Sequence, residues 1–114
     1  MADTCTWTGA SGTKYIFHVY PRHPSINEGQ MGNYIYCKIE QNYWQPINIG
    51  QGDLGIRCTK SHHQIECINS KGATHVHLKL TDGGEAARRA AERDLLANFS
   101  QAYVPNGCNQ KQGG

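Results

Sequence analysis

Two strand-like stretches separated by three polar residues constrain this chain most. They are Gly32-Asn33-Tyr34-Ile35-Tyr36-Cys37-Lys38-Ile39 and Trp44-Gln45-Pro46-Ile47-Asn48-Ile49-Gly50. Both are rich in the branched and aromatic residues that suit a pleated, half-buried surface. Glu40-Gln41-Asn42 between them reads as a hairpin loop. Facing residues of an antiparallel pair keep a constant sum of positions, so a turn centred on Gln41 places Tyr34 opposite Asn48. The ends carrying Gly32-Asn33-Tyr34 and Asn48-Ile49-Gly50 then meet. Arg57 follows, then His62 and His63, and much later Glu92. A phenol, a guanidinium, imidazoles and a carboxylate are the groups that metal-assisted phosphodiester chemistry uses.

The rest of the chain supplies one core around this hairpin. With 114 residues it is the size of a single domain. Thr4 to Thr8, a Gly9-Ala10-Ser11-Gly12 turn and Lys14 to Tyr20 read as an N-terminal hairpin, either extra strands or a lid on the sheet. Pro21 to Gln30 is a loop. Asp53 caps a short helix through Arg57. Ser61-His62-His63-Gln64 has the form of a capping box, so a second helix is expected from His62 to Ser70, with Ile65 and Ile68 inward and Gly72 ending it. That helix would hold His62 and His63 in its first turn, where free N–H groups favour an anion.

Thr74 to Leu80 alternates, with Thr74, Val76, Leu78 and Leu80 on one face and His75, His77 and Lys79 on a solvated one. Thr81 or Asp82 then caps a helix from Gly83 to about Phe99. Its apolar stripe is Ala91, Leu95 and Phe99. Glu92 lies beside that stripe, whereas Glu85, Arg89, Arg93 and Asp94 point to solvent. An inward carboxylate needs a cation, a metal or strong donors. Arg57 or a divalent metal would serve, and pairing with Arg88 or Arg89 is the plain alternative.

Charge and cysteine usage narrow the classes. Charged residues are 18% and the formal net charge is +2, too weak to announce a nucleic-acid binder unless a basic patch is local. No apolar run approaches the ~20 residues that cross a bilayer, and the first residues lack the profile of a signal peptide. The five cysteines, Cys5, Cys37, Cys58, Cys67 and Cys108, are odd in number and are expected as free thiols of a cytoplasmic protein. Cys58, His62, His63 and Cys67 match no common zinc ribbon, leaving zinc a minor alternative.

The order of these features resembles the GIY-YIG nuclease family, in the manner of small bacterial or phage-type members with an N-terminal hairpin. Gly32-Asn33-Tyr34 stands for the first motif, with Asn33 replacing isoleucine. Asn48-Ile49-Gly50 stands for the second, with Asn48 replacing tyrosine. Gln51 to Arg57 resembles the segment leading to the family arginine, Glu92-Arg93-Asp94-Leu95-Leu96 the acidic helix, and Asn109 the C-terminal asparagine. The resemblance implies an α+β fold: a central three-stranded antiparallel sheet flanked by helices over 31–109, preceded by a hairpin extension over 1–30 and followed by a frayed tail over 110–114. It implies a divalent-metal-dependent endonuclease acting on DNA, as a monomer or weak homodimer with no membrane role. Glu92 would hold Mg²⁺ or Mn²⁺, Tyr34 would position and deprotonate the attacking water with a lowered pKa, and Arg57 would bind phosphate. His62 or His63 would relay a proton, and Asn109 would orient a neighbouring group. Asn48 cannot act as a base. The other classes open to the chain are an inactive nucleic-acid or protein binding module and a small structural or inhibitory protein.

Overall fold

The structure is a computed structural model that describes residues 3–111; Met1, Ala2 and the end of the expected tail, 112–114, lie outside the described residues. The chain runs β1 Thr4–Thr8, β2 Lys14–Pro21, β3 Met31–Glu40, β4 Tyr43–Asp53, α1 Leu54–Arg57, α2 Ile65–Ser70, β5 His75–Leu80 and α3 Gly84–Asn98, then a 3-10 turn Ser100–Ala102. All strands join one five-stranded sheet in the order β1-β2-β5-β3-β4, antiparallel throughout. The fold is α+β, but the sheet has five strands rather than three. The N-terminal hairpin is no lid: β2 pairs along β5, with His18 opposite Leu78 and Tyr20 opposite Val76.

The β3–β4 hairpin forms as the sequence requires, in a different register. Its loop is the two residues Gln41 and Asn42, with φ of 53° and 68°. Such a loop needs positive φ at both positions, which asparagine tolerates well. A bulge between Tyr36 and Cys37 then leaves Ile47 unpaired, beside Pro46, which has no N–H for the ladder. Tyr34 therefore faces Gly50, and Asn48 faces Tyr36.

Both faces of the sheet are covered. Tyr34, Tyr36, Val76 and Leu78 pack against Leu54 of α1, Cys58 just after it and Ile68 of α2. Trp7, Phe17, Ile35, Cys37 and Ile49 pack against Leu95 and Leu96 of α3 and Ala102 of the turn. Periodicity suggested a solvated face for β5, but His77 is fully buried. The hairpin brings Trp7 over it, and the indole N–H donates to His77 Nδ1 at 3.0 Å. Leu80, expected inside, is 61% exposed at the strand end.

Local caps differ from those read in the sequence. Asp53 does cap α1, accepting from the Gly55 N–H at 3.0 Å. Its other oxygen accepts from the Gly29 N–H, which fastens the Pro21–Gln30 loop to α1. The Ser61–Gln64 capping box does not form: α2 starts at Ile65 with no side-chain cap, so His62 and His63 precede the helix. Neither Thr81 nor Asp82 caps α3. Gly83, in the left-handed region at φ 98°, turns the chain into it, and Thr81 donates instead to the Asn33 side chain. Asp94, read as solvent-facing, accepts from the Ser11 N–H, the Ser11 hydroxyl and the Tyr15 hydroxyl. Those bonds hold its carboxyl below the ordinary carboxylate range and clamp α3 to the first hairpin turn.

Two of the five cysteines are not free thiols. Cys67 of α2 is joined to Cys108 in a disulfide with a Cα separation of 5.9 Å, while Cys5, Cys37 and Cys58 stay reduced. The bridge also removes Cys67 from any zinc cluster. Among the described residues no helix is long and apolar enough to cross a membrane.

Candidate active site

Six of the seven residues singled out in the sequence line one cavity of about 280 Å³: Tyr34, Asn48, Arg57, His63, Glu92 and Asn109. His62, the seventh, is buried directly behind it, with its Nε2 2.7 Å from the Tyr34 hydroxyl. β3 and β4 supply Tyr34 and Asn48, α1 supplies Arg57, and α3 supplies Glu92.

The two motif glycines have steric causes. A Cβ on Gly50 would lie 2.2 Å from Tyr34 Cζ and 2.3 Å from its hydroxyl. The phenol thus lies flat over the backbone of its cross-strand neighbour. A Cβ on Gly32 would lie 2.0 Å from the Lys79 carbonyl oxygen, so glycine lets β3 approach β5. Gly50→Ala must push the Tyr34 ring aside. We expect it to cost about 1–3 kcal/mol, as overpacking does, seen as a lower urea midpoint. An unchanged midpoint would show that the ring has room to move.

Asn109 acts on the backbone. Its Oδ1 accepts from the Ile49 N–H and its Nδ2 donates to the Ile49 carbonyl, both at 2.8 Å. The Cys108 N–H donates to the Ile47 carbonyl at 2.8 Å. The C-terminal segment thereby occupies the free edge of β4 as a strand would, and it fixes Asn48 and Gly50 in place.

The Tyr34–His62 pair is settled by hydrogen bonding. His62 Nδ1 accepts from the Gln64 N–H at 2.9 Å. Burial, then His63, Arg57 and His23, push its pKa down to about 4, so the ring is neutral. Its proton therefore sits on Nε2 and is donated to the Tyr34 oxygen. The Tyr34 O–H is left to point into the cavity. The expected lowering of the Tyr34 pKa is corrected: burial raises it, Cys58 adds to this, and Arg57 only partly opposes it. Tyr34 is a donor at neutral pH rather than a base. His63 is exposed, its ring stacked on His62 at 4.6 Å.

Glu92 is half-buried and forms no ion pair among the described residues. The alternative pairing with Arg88 or Arg89 is not what the structure holds. Arg88 Nε donates to Gln51 Oε1 at 3.0 Å, and Arg89 grips Glu85 at 2.9 Å. Burial raises the Glu92 pKa, and Arg89, Arg57 and Arg93 pull it back without contact.

The sequence reading missed four residues around this site. Gln51, Gln64 and Arg89 line the cavity. Asn33 is fully buried, donating to the Arg88 carbonyl at 2.9 Å and so tying β3 to α3. Its departure from the family isoleucine was the available signal: a buried amide needs partners.

The buried imidazoles make stability fall on the acid side. His77, like His62, is held at about 4 by burial, against an ordinary value of 6.5. Between these values the unfolded chain binds more protons than the fold, so stability is full above 6.5 and drops as pH falls. Each histidine contributes about 1 kcal/mol of loss by about pH 5.5. Glu92, raised, gives an opposing slope that starts near its ordinary carboxylate pKa. We expect a lower urea midpoint at about pH 5.5 than at about pH 7.5; an equal or higher one would mean that the two rings are not buried neutral.

No family model, no curated protein and no solved structure matches the chain.

Proposed function

We propose that this chain is a divalent-metal-dependent endonuclease hydrolysing DNA phosphodiester bonds, as its resemblance to the GIY-YIG nucleases implies. One observation carries the reading. A half-buried carboxylate, Glu92, faces a cavity shared with Tyr34 and Arg57 and has no ion-pair partner among the described residues. A fold tolerates such a charge poorly unless something outside the chain satisfies it.

The donor set fits Mg²⁺ or Mn²⁺ rather than zinc. Among the described residues no group of three or more His, Cys, Asp or Glu side chains gathers. A zinc site needs such a group. Mg²⁺ keeps several waters and is held by one or two carboxylates together with substrate phosphate. When bound, such a cation polarises the scissile phosphate and stabilises the leaving oxygen.

The chain's own residues do the rest. Arg57 presents a planar fork to phosphate oxygens where charge develops. The Tyr34 hydroxyl, oriented by His62, donates to a phosphate oxygen or holds the attacking water. With Tyr34 protonated and His62 already donating, His63 on the cavity wall is the base placed to take the water's proton. Asn48 offers an amide where the family places a phenol, and Asn109 holds that stretch in register. The inactive binding module is the second reading, favoured by the high Tyr34 pKa and by Asn48.

Metal-dependent nicking of plasmid DNA and hydrolysis of bis(p-nitrophenyl) phosphate test the proposal. We expect slow turnover with Mg²⁺ or Mn²⁺ and none in chelator. Asn48→Tyr should raise the rate if Asn48 is a degraded tyrosine and lower it if Asn48 is an adapted ligand. No cleavage of single-stranded, duplex or branched DNA by either protein would leave the binding module.

A further inference from the structure

A second, larger depression of about 860 Å³ lies on the same sheet face, between β2, the end of β5 and the Pro21–Gln30 loop. Lys14 and His18 line it from this face, and Lys79, whose side chain starts from the other face of β5, reaches its rim, where its ammonium donates to the Leu80 carbonyl at 3.3 Å; no carboxylate is among its described lining residues. The overall charge of only +2 is thus unevenly spread, and this groove is a local cationic patch. Its walls also offer exposed apolar surface. Ile16 is 58% and Leu80 61% exposed, and the half-buried Tyr20 ring lies alongside.

Register places this groove beside the candidate active site. His18 faces Leu78, Leu78 faces Tyr34, and Tyr34 faces Gly50. These four residues form one row on one face, with strands about 4.8 Å apart. The row begins in the groove and ends in the cavity. Helix α1 walls both, through Leu54 on one side and Arg57 on the other.

We propose that the groove takes an unpaired strand of the nucleic-acid substrate, next to the bond that is cut. Its position relative to that bond rests on the phosphodiesterase reading. The lysines suit phosphates, whose neutralisation drives non-specific binding. The Tyr20 ring and the apolar walls beside it suit base faces, which only an unstacked strand presents, in the way that grooves for single strands combine charge with aromatic platforms. The N-terminal hairpin is then a substrate-binding part of the protein, selecting frayed, flapped or single-stranded DNA over intact duplex.

The test is fluorescence anisotropy with a labelled oligothymidylate and a labelled duplex, in chelator so that no metal contributes. The native protein should bind the single strand more tightly. Lys14→Ala combined with Lys79→Ala should weaken that binding about tenfold and flatten the dependence of log affinity on log salt by about 1.4, two phosphate contacts' worth. Ile16→Glu should weaken it further, and circular dichroism should show all variants folded. Unchanged affinity in the variants, equal affinity for duplex, or full displacement by polyglutamate would overturn the proposal.

Hydrolysis of bis(p-nitrophenyl) phosphate separates it from the enzyme reading, because so small a diester needs only the cavity. Lys14→Ala/Lys79→Ala should hydrolyse it at the native rate. If no protein hydrolyses it but the lysines still govern strand binding, the groove stands and the nuclease falls. If it is hydrolysed and strand binding ignores the lysines, the groove falls and the nuclease stands.

Discussion

We expect Glu92→Gln to abolish metal-dependent hydrolysis while leaving the domain folded. The side chain keeps its shape, exchanges one acceptor oxygen for an amide donor and loses its charge. Among the described residues that charge is the one carboxylate lining the cavity, and Mg²⁺ and Mn²⁺ require oxygen ligands of this kind. Removing a single neutral catalytic donor costs a factor of about 10²–10³, so removing the anchor of the metal should cost about 10³ or more. Stability should move the other way. The raised Glu92 pKa shows that burial already penalises the charged form, and no ion pair offsets it among the described residues. A neutral amide removes that penalty, so the urea midpoint should hold or rise. A variant that unfolds would show Glu92 to be a structural carboxylate. One that cuts at the native rate would place the metal elsewhere.

Opening the Cys67–Cys108 bridge should cost more stability than any other single change considered above. The bridge closes a loop of 41 residues, for which chain-entropy reasoning gives about 4 kcal/mol. In a domain of this size that is a fall in melting temperature of roughly 15 °C. The effect should reach the site, because Cys108 anchors the segment that caps the β4 edge through Ile47 and Asn109. We expect Cys67→Ser/Cys108→Ser, or the native protein in excess dithiol, to melt early and to hydrolyse more slowly. Thiol titration under denaturing conditions without reductant should find three free thiols, matching Cys5, Cys37 and Cys58. Five thiols, with a melting temperature indifferent to dithiol, would contradict the bridge.

What the sequence made legible was mostly local. The first hairpin, the β3–β4 hairpin, the Asp53 cap and the apolar stripe of α3 follow from alternation, turn residues and helical spacing. The set Tyr34, Asn48, Arg57, His63, Glu92 and Asn109, which lines one cavity, came from the order of the motifs and the resemblance it carries, and Asn109 from the resemblance alone.

The rest depended on long-range packing. The register of β3 on β4 turned on an unforeseen bulge at Ile47 and a loop one residue shorter than assumed. His77 looked solvated because nothing near it in sequence reveals that Trp7 covers it. The Ser61–Gln64 pattern failed as a cap because His62 Nδ1 takes the Gln64 N–H and its ring turns inward to Tyr34. The disulfide joins elements whose sequence separation carries no signal, and an odd cysteine count pointed the other way. The direction of the Tyr34 pKa shift depended on burial, which only the packed structure supplies.

The central claim is that Glu92 holds a catalytic metal beside Tyr34 and Arg57. Anomalous diffraction from a crystal soaked with Mn²⁺ and a short single-stranded oligonucleotide tests it most directly. A metal peak is expected on the order of 2 Å from a Glu92 carboxylate oxygen, with a phosphate oxygen and waters filling the rest of its shell and Arg57 against the same phosphate. A cavity that takes up no manganese, or manganese bound only at a site remote from Glu92, would contradict it.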